Sequence, residues 1–186
     1  MLRKKLATGA RWLLTTRALR RFVRQQDGAA AIEFGLVAAP FLALVFAIME
    51  TALVFFSGQA LETAVADSGR LIMTGQAQSQ SFDQAAFKNA VCAKIFGLFD
   101  CQNGVYVDVR TYTSFSAVDL TPPLDANGNF VNNNFQYKPG GPGDIVVVRL
   151  FYQWPVYVSL LGFGMQNMSG NKRLLVATMA FRNEPY

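Results

Sequence analysis

The sequence contains no histidine, and only two of its 186 residues are cysteine. Without histidine there is no imidazole base, no Ser-His-Asp or Cys-His nucleophile pair and no histidine metal site, so most hydrolase chemistry is excluded. Cys92 and Cys101 cannot form a four-thiolate zinc or iron-sulfur centre, but they can form one disulfide. Charge is also sparse: 16% of residues are charged and 52% are hydrophobic, which excludes a disordered or fibrous chain. The composition calls for no cofactor.

The 17 basic residues outnumber the 12 acidic ones, but the excess is confined to one end. Arg3, Lys4, Lys5, Arg11, Arg17, Arg20, Arg21 and Arg24 precede Gly28 with Asp27 as the only acid, a local charge of +7. The other nine bases and eleven acids sum to −2. A basic leader on a slightly acidic body is not the continuous cationic face that a phosphate backbone requires, so no nucleic-acid partner is expected.

Residues 29–56 follow the leader as an apolar run interrupted only by Glu33, Pro40, Glu50 and Thr51 together with small residues. A helix over residues 35–56 would be about 33 Å long, matching a hydrocarbon core of about 30 Å. Bases crowd its N-terminal side, so the positive-inside bias places the N-terminus in the cytoplasm and the bulk of the chain outside. A cleavable secretory signal, with Gly58 and Ala60 as a loose cleavage pattern, requires a shorter apolar stretch than this one. The Arg20-Arg21 pair fits a twin-arginine signal only loosely. Glu50 lies inside a span over 35–56, where it would need a partner helix; a span nearer 29–49 would leave it at the interface.

Beyond the span, Leu61, Ala64, Val65, Ser68 and Ile72 keep helical spacing, and Gly75 is a suitable stop. Residues 76–81 read as a polar linker. Ser81 and Gln84 form a capping-box pattern before Phe87, Val91, Ile95 and Leu98, predicting a second helix that closes near Gly97. Val105, Val107 and Val109 alternate with Tyr106, Asp108 and Arg110, as in a half-buried strand. Residues 116–143 read as a long loop with a turn at Asn127-Gly128. Strands are expected over 144–158, with Val146, Val148, Leu150, Tyr152 and Trp154 on one face, and over 173–182. The expected fold is α+β: a long N-terminal helix packed on a small antiparallel sheet. It divides into a leader over 1–28, the helix over 29–75 and an extracytoplasmic head over 76–186.

The informative junction is Gly28-Ala29-Ala30-Ala31-Ile32-Glu33-Phe34. A carboxylate at the edge of a hydrophobic stretch is costly and asks for a partner. Cutting after Gly28 would supply one, because the new α-amine of Ala29 could meet Glu33 of a neighbouring helix offset by one turn. Gly35, Ala39, Ala43 and Ala47 add small residues every four positions, which lets membrane helices approach closely. A four-residue step nevertheless drifts by about 40° each time. Pro40 cannot donate to the carbonyl of Leu36 and should loosen or bend the helix.

This junction resembles the type IV pilin-like superfamily, whose precursors are cut after a glycine and carry glutamate at the fifth mature position. More narrowly, GAAAIEFGLVAAPFLAL, the cysteine pair, VVVRLFYQWPVY and the terminal FRNEPY resemble the TadE-like pseudopilins of the tight adherence (Flp) pilus system. The resemblance implies a pilin-like fold, cleavage by a prepilin peptidase, residence in the bacterial inner membrane and a minor or assembly role in pilus biogenesis. Its implied partners are that peptidase, other pseudopilins, the major pilin, the inner-membrane pilus platform and the lipid bilayer. No residue is expected to be catalytic and no small-molecule substrate is implied.

Cys92 and Cys101 fall on the extracytoplasmic side, where a disulfide tying the end of the second helix to the first strand is expected. Asp125, Asn127 and Asn129 mimic the spacing of a calcium loop, but Phe130 stands where that loop needs glycine, so turn chemistry fits better. Gly140-Gly141-Pro142-Gly143 precedes a strand and offers no helix N-terminus to a phosphate. Two other classes remain as contrasts. An uncleaved, membrane-anchored binding head would keep Met1, and an enzyme would need Asp100 and Asp108 in one cleft.

Overall fold

A computed structural model describes residues 28–95, 97, 99–157 and 164–186. The basic leader, Leu98 and the expected strand end at Val158 therefore lie outside the described residues. Two compact units divide at Phe46 and Ala47.

Helix α1 runs over Ala29–Met73, 45 residues that include Pro40. Residues 29–49 are exposed or half-exposed on every side. From residue 50 onward one stripe is buried: Glu50, Val54, Ser57, Leu61, Ala64, Val65, Ser68, Gly69 and Ile72. Steps of three and four keep this stripe on one face of a 3.6-residue helix. Ser57 and Ser68 satisfy their buried hydroxyls by donating to the carbonyls of Leu53 and Ala64 one turn earlier. The helix ends where Gly75 adopts φ 75°, the left-handed conformation that glycine reaches without steric cost.

The segment expected to be a linker instead makes a helical turn, α2 (Gln76–Ser79), with Ala77 buried. Helix α3 (Gln84–Cys92) is capped by Asp83, not by Ser81. Ser81 sits at φ 53°, whereas Asp83 is extended and its carboxylate accepts from the Ala86 N–H at 2.7 Å. The helix stops at Cys92, short of Gly97, as the Lys94 and Ile95 N–H groups close tighter turns onto Val91 and Cys92. Cys92 is bonded to Cys101, the first residue of α4 (Cys101–Gly104), so the bridge links two helix ends and not a helix to a strand. Replacing both cysteines with serine is expected to cost about 2 to 3 kcal/mol, the loop-closure term for so short a ring. Urea unfolding of the full chain in detergent, compared with wild type under oxidising conditions, checks it.

Strands β1 (Val105–Tyr112), β2 (Ile145–Pro155) and β3 (Lys172–Arg182) form an antiparallel sheet in the order β1-β2-β3. The register pairs Val107 with Leu150 and Leu150 with Ala177, so odd positions of β1 and β3 share a face with even positions of β2. On that face Val105, Val107, Val109, Val146, Val148, Leu150, Ala177 and Phe181 pack with Val54, Leu61, Val65 and Ile72 of α1 and with Phe87 and Val91 of α3. The fold is α+β, as the alternation in the sequence indicates.

The other face departs from a half-buried sheet. Phe151, Met168 and Leu174 form a second core with Tyr106, Leu124, Phe130 and Phe135 around them. The cover is the expected long loop, which folds into a 3-10 turn (Phe115–Ala117), a Leu124–Phe130 bridge and a short run beside β1. Asp108, expected on a polar face, is fully buried beneath it. Its carboxylate accepts from Arg149 Nη2 at 2.7 Å, from Arg110 Nε at 2.9 Å and from the Gln136 N–H at 3.0 Å. Arg149 also donates to the Thr121 carbonyl and lies over the Phe151 ring, while Arg110 donates to the Asn134 carbonyl. One buried carboxylate thus ties the loop to the sheet at three separate points.

At the far end of α1 the last residues act as a strap. Asn183 is buried and donates to the carbonyls of Pro139 and Gly141, and the Glu184 N–H donates to the Met73 carbonyl.

Candidate membrane and assembly surface

The apolar part of α1 presents Ile32, Phe34, Leu36, Val37, Phe41, Leu44, Phe46 and Ile48 to the outside. A contiguous apolar patch of this size does not persist in water on a soluble monomer. It is long and apolar enough to cross a membrane once, and its most apolar window has none of its residues buried inside the protein.

Gly28 is exposed, and α1 begins at the very next residue, so the Gly28-Ala29 peptide bond lies at the helix N-terminus. No acidic residue occupies the first turn. Glu33 follows it, exposed, four positions after Ala29 and therefore on the same helix face. Side chains on a helix lean toward its N-terminus, which points the Glu33 carboxylate back toward residue 29. Phe34 is 74% exposed. Gly35 and Ala39 are exposed and a Cβ at Gly35 would meet nothing, while Ala43 is half-buried. Ala47, the last of the small series, opens the second unit, where its carbonyl accepts from the Thr51 hydroxyl. Pro40 is accommodated inside the helix, leaving the Leu36 carbonyl without its usual donor.

Glu50 stands apart from this surface. It is 7% exposed and its carboxylate accepts from the Tyr157 backbone N–H just beyond β2. Neither a partner helix nor an open interface is its environment: the head of the same chain encloses it. Sequence inspection missed this because a backbone donor 107 positions away leaves no mark on residue types. The Asp108–Arg149 pair was missed for a related reason, since the loop that buries it is irregular.

The remaining candidates resolve into turn chemistry. Asp125 accepts from the Asn127 and Asn129 N–H groups and from Asn129 Nδ2, with the Asn129 side chain the leading cause holding its carboxyl below the usual range. Gly128 takes φ 75° in the same turn. The Asp144 carboxylate accepts from the Gly141 N–H, which fixes the glycine-rich stretch before β2. Asp100 caps α4 through Asn103, while Asp108 is held by its arginines inside the sheet; each carboxylate has its own structural partners. Among the described residues no three metal-binding side chains cluster.

Residues 28–70 match the family model for TadE-like protein. The segment is TadE-like. The TadE-like match begins at Gly28, the residue before α1, and ends three residues short of the end of that helix. No curated protein and no solved structure matches the chain significantly. The match covers residues 28–70 and not the head, and the fold is pilin-like: one long apolar helix continuing into a small α+β head.

Proposed function

We infer that this chain is a minor pilin or pseudopilin that takes part in assembling a Tad/Flp-type pilus and acts by packing, without catalysis. The observation that carries this reading is the coincidence of three things at one peptide bond: the TadE-like match starts at Gly28, the helix starts at Ala29, and a lone carboxylate follows one turn later at Glu33. In this reading the basic leader holds the N-terminus in the cytoplasm and a prepilin peptidase cuts between Gly28 and Ala29. The α-amine so released is a cation at the membrane edge, and the Glu33 carboxylate of a neighbouring copy or pseudopilin neutralises it as the helices pack side by side, with Phe34 and the Gly35, Ala39, Ala43, Ala47 series at the contact.

Enclosure of Glu50 by the head favours a span over residues 29–49. That stretch is about 31 Å long as a helix, the thickness of the hydrocarbon core. Leu53, Phe55 and Phe56, all exposed, then lie at headgroup level, where amphipathic and aromatic groups are stable.

The test is N-terminal sequencing of the protein purified from membranes of a piliated strain. The expected mature chain begins at Ala29. A chain that still begins at Met1 in such a strain fits an uncleaved anchored binding head and removes the processing reading.

A further inference from the structure

The two edges of the sheet are treated differently. On the β1 edge, the Val109 N–H donates to the Gln136 carbonyl, the Lys138 N–H donates to the Val109 carbonyl, and Gln84 Nε2 donates to the Val107 carbonyl. That edge is covered at Val107 and Val109. The outward direction of Val109 also sets the phase of the whole sheet. Through the register, Val148 and Met179 turn their backbone groups to each other, so even-numbered residues of β3 turn theirs outward. The start of β3 agrees: the outward Lys172 carbonyl accepts from Asn167 and Met168, and the outward Leu174 N–H donates to Asn167 Oδ1. Beyond that loop, Val176, Thr178 and Ala180 present their N–H and C=O groups outward with no partner among the described residues.

Proteins ordinarily blunt such an edge with lysine, proline or a bulge. Here residues 174–181 carry no charge and no proline, the pairing with β2 is regular throughout, and Val176, Thr178 and Ala180 are all exposed. Positive charge returns only at the two ends, with Lys172 and Arg173 at one and Arg182 at the other. We propose that the β3 edge is a docking site for an extended segment of another pilus-assembly protein, which adds a fourth, antiparallel strand: uncharged over its middle, with carboxylates near its ends facing Arg182 and the Lys172-Arg173 pair.

A second copy of this chain does not fit as that strand. Antiparallel pairing of two β3 edges would set the Lys172-Arg173 end of each against Arg182 of the other, like charge against like charge. The β1 edge of a neighbour is occupied at Val107 and Val109 by its own loop and by Gln84.

The proposal rests on the Tad pilus reading, and its test separates the two. In Thr178→Pro the lost N–H is an outward one, so the ladder to β2 stays intact, while the added strand loses a donor and meets the ring. The full-length variant is expected to melt within about 2 °C of wild type, the effect of a change below about 1 kcal/mol, yet to reduce surface pili by tenfold or more. Thr178→Lys, a charge on an exposed edge position, gives the same loss of pili without any backbone constraint. Amide exchange supplies the direct readout. In membranes from piliated cells the segment around Val176, Thr178 and Ala180 exchanges at least tenfold more slowly than in the purified chain, and either variant abolishes that protection. Normal piliation in both stably folded variants, or equal exchange in the two settings, overturns the proposal. So does a disulfide-linked homodimer of Val176→Cys as the main membrane species. If deleting the whole chain leaves piliation normal, the pilus reading itself fails.

Discussion

Asp108→Ala is expected to be the most damaging single substitution in the head, lowering its stability by about 3 to 5 kcal/mol. The cost arises mainly from what stays behind. Arg149 is buried, and without Asp108 its guanidinium is left with the Thr121 carbonyl, the Phe151 ring and the more distant charge of exposed Asp119. The Gln136 N–H loses its acceptor as well, which frees the loop at a second point. Globular domains are stable by only about 5 to 15 kcal/mol, so a loss of this size removes a large share of the total and lowers the melting temperature by about 10 °C or more. Arg110→Ala should cost only about 1 kcal/mol, because that side chain is 30% exposed and water screens it. The double variant Asp108→Leu with Arg149→Leu should recover most of the lost stability, since two apolar groups remove both charges together. Thermal unfolding of the full chain in detergent, followed by circular dichroism, measures all three. An Asp108→Ala protein within about 1 kcal/mol of wild type would mean that the buried carboxylate does not hold the loop in place.

Periodic features of this fold could be read from residue types, whereas features that depend on irregular backbone could not. The extent of α1 followed from the apolar run, the Leu61 to Ile72 stripe and Gly75, and the helix ends within two residues of that glycine. Strand alternation likewise located β1, β2 and the helix-facing valines. Alternation also assigned Asp108 to water, because period two separates the two faces of a strand but is silent on what covers the second. Its cover is a loop rich in proline, glycine and asparagine, which has no periodicity of its own. Choosing Ser81 over Asp83 as the cap failed similarly: both residue types cap helices, and only the backbone angles distinguish them. At the assembly surface the reverse holds. Gly28, Glu33 and Phe34 stand out in sequence as a glycine and a carboxylate beside an apolar run, but the single chain shows them only as exposed, and the partner proposed for them is another molecule.

Glu33→Gln tests that partner directly. The amide keeps the shape of the side chain but removes the charge and exchanges one acceptor oxygen for an NH2 donor, so processing should be unchanged and the mature chain should still begin at Ala29. Assembly should not survive. An ammonium enclosed between packed helices costs at least about 3 kcal/mol when its counter-charge is missing, and 1.4 kcal/mol is tenfold in an equilibrium constant. Surface pili are therefore expected to fall by about a hundredfold, measured as sheared filament per cell. A purely local role predicts something smaller. If Glu33 served only its own helix N-terminus, the loss would stay below about 1 kcal/mol, roughly fivefold, and a carboxylate placed one turn earlier by Ala30→Glu should restore piliation. Pairing between neighbouring helices offset by a turn predicts no rescue, because the new carboxylate lies about 4.5 Å along the axis and about 60° round the helix from the position that meets the incoming amine. Rescue by Ala30→Glu, or near-normal piliation in Glu33→Gln, would confine the glutamate to its own helix and leave the lateral packing of this protein without its electrostatic cause.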